Sequence, residues 1–230
     1  MKKILVVAAH PDDEILGCGA TIAKEIENGA EVKVILAAMG VTSRYQEINE
    51  EVRSKVNQLY AEAKSANKAI GLPETSIIFG EFVDQQLDTY PFFEIVKFIS
   101  NIVQQFRPDV VYTHHLGDYN LDHQIIFKAV LFACRPYFGE NYPNQIYSFE
   151  VLSSTEWYWS HKDSFKPTVY VDINNYIEKK KRALESYASE LRMHPHPRSI
   201  EGVEILAKKR GMEVSLPFAE AFELIRMIKQ

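Results

Sequence analysis

Two short clusters hold side chains whose types and spacing suit chemistry. The first is His10-Pro11-Asp12-Asp13-Glu14, and the second runs from His114-His115 through Asp118, Asn120 and Asp122 to His123. The plain reading of the first is helix capping, since a carboxylate at Asp12 or Asp13 suits the positive end of a following helix. One carboxylate meets that need and leaves His10 incidental. Two adjacent carboxylates and a histidine at the end of an apolar run repel each other unless a cation compensates, and a bound metal supplies one. Catalytic zinc keeps three protein ligands and an open position for water; His10, Asp13 and His123 form such a His/Asp/His set. Asp12, on the opposite side of the turn from Asp13, is placed to take a proton from water that zinc acidifies to a pKa of about 7. Asp122, directly before His123, reads either as a carboxylate that orients a ligand histidine or the base, or as a second helix cap.

These clusters need elements to bring them together. Ile4–Ala9 is a continuous apolar run, the mark of a parallel strand buried on both faces. A helical pattern with Ile15, Leu16, Ile22, Ala23 and Ile26 follows and ends at Asn28-Gly29. Strands are expected at Glu31–Met39, Ser76–Phe82 and Val110–Thr113, with helices at about Arg44–Ile70 and Pro91–Phe106 between them. That alternation predicts an α/β fold, a Rossmann-like doubly wound, mostly parallel sheet flanked by helices. The second half is less regular: strands at Gln145–Leu152 and Pro167–Ile173, helices near Asn174–Arg192 and Ile200–Arg210, and an ambiguous segment at Ala219–Ile228. With no repeat or linker, residues 1–230 read as one domain. In such sheets ligands bind beyond the carboxyl ends of the strands. With the first and fourth strands adjacent, His10, Asp12, Asp13, Asp122 and His123 reach one centre.

Further residues fall at the same edge. Arg44 follows the second strand, where its planar fork of donors suits a phosphate or sugar hydroxyls, or it is a solvated residue of a helix first turn. His194-Pro195-His196-Pro197-Arg198-Ser199 is either a stiff surface loop or a source of help, with His196 over the metal as acid or oxyanion donor and Arg198 on the substrate. Trp157-Tyr158-Trp159 offers a sugar-stacking wall or plain packing. One of His114 and His115 is expected beneath the site, His161 at the surface, and Cys18 in a close helix–sheet contact.

Composition bounds the function. The 230 residues include 26 Lys+Arg and 31 Asp+Glu, a formal charge of -5, with 46% hydrophobic and 25% charged residues. That balance fits a globular protein and argues against nucleic-acid binding, which needs a basic face. Two cysteines suit a reducing cytoplasm. The six-residue apolar run near the start is too short for an export signal or a membrane span. The first strand–helix turn lacks GxGxxG and is acidic, which disfavours a dinucleotide-binding dehydrogenase. A non-catalytic Rossmann-type module would be marked by loss of the base or a ligand, and all four residues are present.

Ala9–Glu14 (AHPDDE) after the first strand, with Asp118–His123 (DxNxDH) roughly one hundred residues on, resembles the PIG-L/LmbE-like zinc-dependent N-deacetylases. Weaker likeness extends through Thr42–Arg44, Thr155–Trp157 and Tyr187–Ser199. The resemblance implies an LmbE-like fold and hydrolysis of an N-acetyl group on an amino sugar of the N-acetylglucosamine type or its conjugate. By it His10, Asp13 and His123 bind zinc, or another divalent transition metal, and Asp12 is the general base; a different amide or ester is the chemical neighbour. Other members place a histidine three residues before the last metal ligand, where this chain has Asn120. Asn120 cannot exchange a proton but can donate an amide hydrogen bond to substrate or orient Asp122. The partner it implies is an N-acetylated sugar or sugar conjugate, and a homo-oligomer is compatible with both sequence and resemblance.

Overall fold

The computed structural model describes residues 1–137, 141–160 and 162–229; His161 lies outside them. The chain runs β1 (Lys3–Ala8), α1 (Asp13–Glu27), β2 (Glu31–Ala38), α2 (Glu50–Ala69), β3 (Ile77–Phe82), α3 (Phe92–Phe106), β4 (Val110–His114) and α4 (Leu121–Ala133). It continues with β5 (Gln145–Phe149), β6 (Val169–Asp172), α5 (Ile177–Ser186), α6 (Ile200–Met212) and β7 (Ala219–Met227). One seven-stranded sheet has the order β3-β2-β1-β4-β5-β7-β6. Neighbours from β3 to β5 pair in parallel, and β7 runs antiparallel between β5 and β6. This is the expected mostly parallel α/β sheet, with β1 beside β4.

Alternation of side chains along a strand divides β1 between two cores. Ile4, Val6 and Ala8 enter the layer filled by Ile15 and Ile22 of α1, Leu59 of α2 and Leu184 of α5. Leu5 and Val7 enter the opposite layer, filled by Ile95, Ile99 and Val103 of α3 and Ile126 and Val130 of α4. A strand buried on both sides needs an unbroken apolar run, and β1 has one.

Helix α1 is broken at Cys18, whose φ of -147° is non-helical. The freed groups have buried partners. Leu16 O accepts from Lys180 Nζ at 2.7 Å, while Ala20 N and Thr21 N donate to the Glu220 carboxylate at 3.0 and 2.7 Å. Lys180 and Glu220 pair at 2.7 Å. The break lets α1 press on β5: a Cβ at Gly17 would lie 2.3 Å from the Phe149 ring. Cys18 is buried in this contact.

Three expected elements differ. The helix expected from Arg44 begins at Glu50, after a 3-10 turn at Val41–Arg44 and an Asn49 cap that accepts from Val52 N at 3.0 Å. That turn keeps Ser43 and Arg44 at the ligand edge. The helix expected to reach Arg192 stops at Ser186, because Tyr187 turns inward and donates to Glu14 Oε1 at 2.6 Å. The ambiguous Ala219–Ile228 is β7, which brings Glu220 to α1.

Candidate active site

The carboxyl ends of β1 and β4 are tied together directly, for Ala9 N donates to His114 Nε2 at 2.8 Å. Beyond β1 the chain makes a sharp turn with Asp12 at φ 108°, a region that L-residues rarely occupy. Glu14 holds that turn, its Oε2 accepting from Asp12 N at 3.1 Å and its Oε1 from Asn67 and Tyr187. Burial pushes the Glu14 carboxyl up to about 7. Beyond β4, Asn120 caps α4 by accepting from Asp122 N at 2.9 Å, which sets His123 in the first turn.

These turns bring three donor atoms together. Asp13 Oδ2 lies 3.3 Å from His10 Nδ1 and 3.2 Å from His123 Nε2, and the two nitrogens are 3.3 Å apart. Ligands of a tetrahedral zinc ion, each about 2.0–2.1 Å from it, sit about 3.3–3.4 Å from one another. The spacing fits.

The far nitrogen of each imidazole meets carboxylates, as metal-ligating histidines do. His10 Nε2 lies 3.0 Å from Asp122 Oδ2 and 3.1 Å from Asp84 Oδ1. His123 Nδ1 lies 3.1 Å from Asp118 Oδ1. These carboxylates are themselves fixed: Asp122 accepts from Gln85 N and Leu87 N, Asp118 from the hydroxyls of Ser154 and Thr155, and Asp84 from Ser43. A proton on each far nitrogen leaves His10 Nδ1 and His123 Nε2 with lone pairs toward Asp13, the tautomers a metal requires. His114 stacks on His123 at a centroid distance of 3.9 Å. Burial, then the His123 charge, hold His114 below the usual imidazole range.

The electrostatics ask for positive charge between the donors. Burial pulls His10 and His123 down, yet the carboxylates around them prevail. His10 is raised well above the usual value and His123 to about 9. Burial pushes Asp13 up, but His123, His114 and His10 hold it well below the carboxylate range. Protons or a divalent ion can supply that charge.

Asp12 lies at the wall of the same cavity of about 210 Å³, with His10, Asp13, His123, Asn120, Arg44 and Arg198 also lining it. Burial pushes the Asp12 carboxyl up to about 8, against the pull of Arg198. Arg198 Nη1 donates to Asp12 Oδ2 at 3.0 Å and Nε to Ser153 Oγ at 2.6 Å, so this expected substrate contact engages Asp12 instead. Arg44 is bound to Glu190 through Nη2 at 2.8 and 2.7 Å.

His196 does not line the cavity. Its Nδ1 accepts from Arg198 N at 3.1 Å and its ring meets Trp157 edge-on, so the acid or oxyanion role expected of it has no geometric support. Trp157 and Trp159 stand outside the cavity lining too, Trp159 being 85% exposed. His115 faces Glu223 of β7 at 3.0 Å, leaving His114 as the histidine beneath the site.

Sequence reasoning did not single out Asp84, Glu190, or any role for Glu14 and Asp118. The signal for Asp84 was available: it follows β3 at the edge that carries the clusters after β1 and β4. Glu190 lies in a turn that periodicity read as helix.

This constellation has the donor set of a metal-assisted hydrolase. Residues 5–134 match the family model described as PIG-L: GlcNAc-PI de-N-acetylase, and the chain belongs to that family. An uncharacterized deacetylase of Escherichia coli K12, YaiS, is 28% identical over 194 residues, covering 82% of this chain and 91% of the relative. The diacetylchitobiose deacetylase of Thermococcus kodakarensis is 26% identical over 201 residues, 83% of this chain and 70% of its own. Among solved structures, the N,N'-diacetylchitobiose deacetylase of Pyrococcus horikoshii superposes with TM-score 0.75 at 21% identity, covering 98% of this chain and 84% of that one. A 4-carboxy-2-hydroxymuconate hydratase of Pseudomonas putida KT2440 also gives 0.75 at 21%, covering 100% and 99%. The fold alone therefore does not decide the reaction.

Proposed function

We propose that this protein is a zinc-dependent N-deacetylase that hydrolyses the N-acetyl group of an N-acetylglucosamine-type amino sugar or sugar conjugate, releasing acetate and the free amine. One observation carries the reading: His10 Nδ1, Asp13 Oδ2 and His123 Nε2 sit at mutual distances of 3.2–3.3 Å beside the Asp12 carboxylate in one cavity. Those three residues would hold the ion. When bound, it polarises the acetyl carbonyl and acidifies water.

Asp12 accepts a proton from the attacking water as the new carbon–oxygen bond forms. It returns that proton to the nitrogen as the carbon–nitrogen bond breaks, so the amine leaves neutral. Arg198 keeps the carboxylate in place by donating to its Oδ2 at 3.0 Å. Asp122 and Asp84 orient His10, and Asp118 orients His123. Asn120 and Arg44, which line the cavity, would meet substrate hydroxyls. We extend the reading to residues 1–230 as one domain, supported by the way β5, β7 and β6 continue the sheet begun by β1–β4. A cytoplasmic location is supported by two free buried thiols, Cys18 and Cys134; among the described residues no helix is long and apolar enough to cross a membrane.

The test is metal content followed by acetate release over a panel of N-acetyl sugars, glycosides, phosphate esters and nucleotide sugars. Asp12→Asn is expected to retain metal and lose about 10²–10⁴-fold in turnover, while His123→Ala loses the metal. Full activity of either variant overturns the assignment.

A further inference from the structure

Four carboxylates, Asp12, Asp13, Asp84 and Glu190, and two guanidiniums, Arg44 and Arg198, line the candidate active-site cavity. A divalent ion on the His/Asp/His group cancels that excess of negative charge and leaves no surplus of positive charge. Both guanidiniums are already engaged. Arg198 meets Asp12 at 3.0 Å, and Arg44 Nη2 donates to both oxygens of Glu190 at 2.8 and 2.7 Å. Glu190 is 6% exposed, and Arg192 also stands 4.0 Å from it. The cavity lining thus carries a guanidinium of the kind that grips phosphate, Arg44, and the buried Glu190 carboxylate occupies it.

Resting on the deacetylase reading, we infer that Glu190 is a specificity-determining residue that makes the site select an uncharged N-acetyl sugar over one bearing a phosphate. A phosphate that takes Arg44 strips the buried Glu190 of its two short hydrogen bonds and leaves it only Arg192, 4.0 Å away. A phosphate that does not take it stands beside a carboxylate, and like charges in contact disfavour the complex. A neutral sugar meets neither penalty. Specificity of this kind comes from a repulsive element as much as an attractive one.

The test uses the metal-loaded full chain, with the neutral N-acetyl sugar that the panel above shows to be turned over best and its phosphate monoester. The wild type is expected to favour the neutral sugar in kcat/KM by roughly tenfold or more, the scale of one like-charge contact. Glu190→Gln keeps the shape and removes the charge, so Arg44 becomes free for phosphate and the preference shrinks about tenfold. Adding Arg44→Ala to that variant abolishes the gain. Arg44→Ala alone, the measurement that remains if Glu190→Gln fails to fold, bares Glu190 and moves the ratio further against the ester. A wild-type preference for the phosphate ester, or a ratio that neither variant moves, overturns the inference and leaves the deacetylase reading standing. Silence across the whole panel with metal bound overturns that reading and this inference with it.

Discussion

The roles proposed for single side chains rest on which nitrogen of each histidine is occupied. His10 and His123 each turn one nitrogen to Asp13 and the other to a carboxylate held by backbone amides or hydroxyls. Removing the acceptor leaves the ligand atom in place but frees the ring to rotate and change tautomer. Asp118→Asn is therefore expected to weaken metal binding about 10–100-fold, with Asp122→Asn acting the same way through His10. Competition against a chelating dye measures this directly, and unchanged affinity in both variants removes the orienting role. At this scale the sequence was legible where a chemical type was unusual for its setting. A histidine and two carboxylates ending an apolar strand stand out. Asp118 lay in the same motif, yet nothing in one dimension distinguishes an acid beneath a histidine from one capping a helix.

At the scale of elements, the instructive case is α1. Its break at Cys18 leaves backbone groups that a buried ion pair from two distant elements, Lys180 of α5 and Glu220 of β7, satisfies. The anion meets the amides that open the second half of the helix, and the cation meets a carbonyl that closes the first. Breaking such a pair from one side leaves an uncompensated buried charge, at a cost of about 3–5 kcal/mol. Lys180→Met is expected to lower stability by that amount in chemical denaturation, and Lys180→Met/Glu220→Gln by less than the sum of the single variants. Additive losses remove the coupling. The β1–α1–β2 order was readable because apolar runs and stop residues are local signals. The role of β7 was not, because Glu220 gains its meaning only when the C-terminal strand enters the sheet between β5 and β6. The same holds for Tyr187, whose inward turn to Glu14 ends α5 where charge patterning continues the helix.

For the molecule as a whole, the β1–β4 half that carries the metal group is joined to the antiparallel half beyond it, and one junction responds to pH. His115, at the end of β4, has Nδ1 3.0 Å from Glu223 of β7, while its Nε2 meets Asp163 O at 2.8 Å. Gly117 rests against that same carbonyl, with no room for a Cβ. With Nε2–H donating to the Asp163 carbonyl, a proton on Nδ1 makes the ring a cation beside the Glu223 carboxylate. Burial pulls His115 down, but Glu223 and the Asp163 carbonyl prevail and raise it above the usual imidazole value. Burial pushes Glu223 up, and His115 with the Lys166 amide brings it below the usual carboxylate value. A raised histidine gives stability that is fully present below its unfolded value of about 6.5 and is lost as pH rises through its folded value. The lowered glutamate gives stability that is present above its unfolded value of about 4.3 and is lost as pH falls through its folded value. The junction is therefore strongest between those limits, at about pH 5–6. His115→Phe is expected to lower stability by about 1–2 kcal/mol there, for the loss of a partly exposed ion pair and of the Nε2–Asp163 hydrogen bond. The deficit should shrink toward pH 8.5. Denaturant midpoints of wild type and variant at the two pH values measure it, since the metal group's own titration is common to both proteins and cancels in the difference. A deficit that grows with pH contradicts a charged His115 and leaves the junction held by the Nε2–Asp163 hydrogen bond and packing against Phe165.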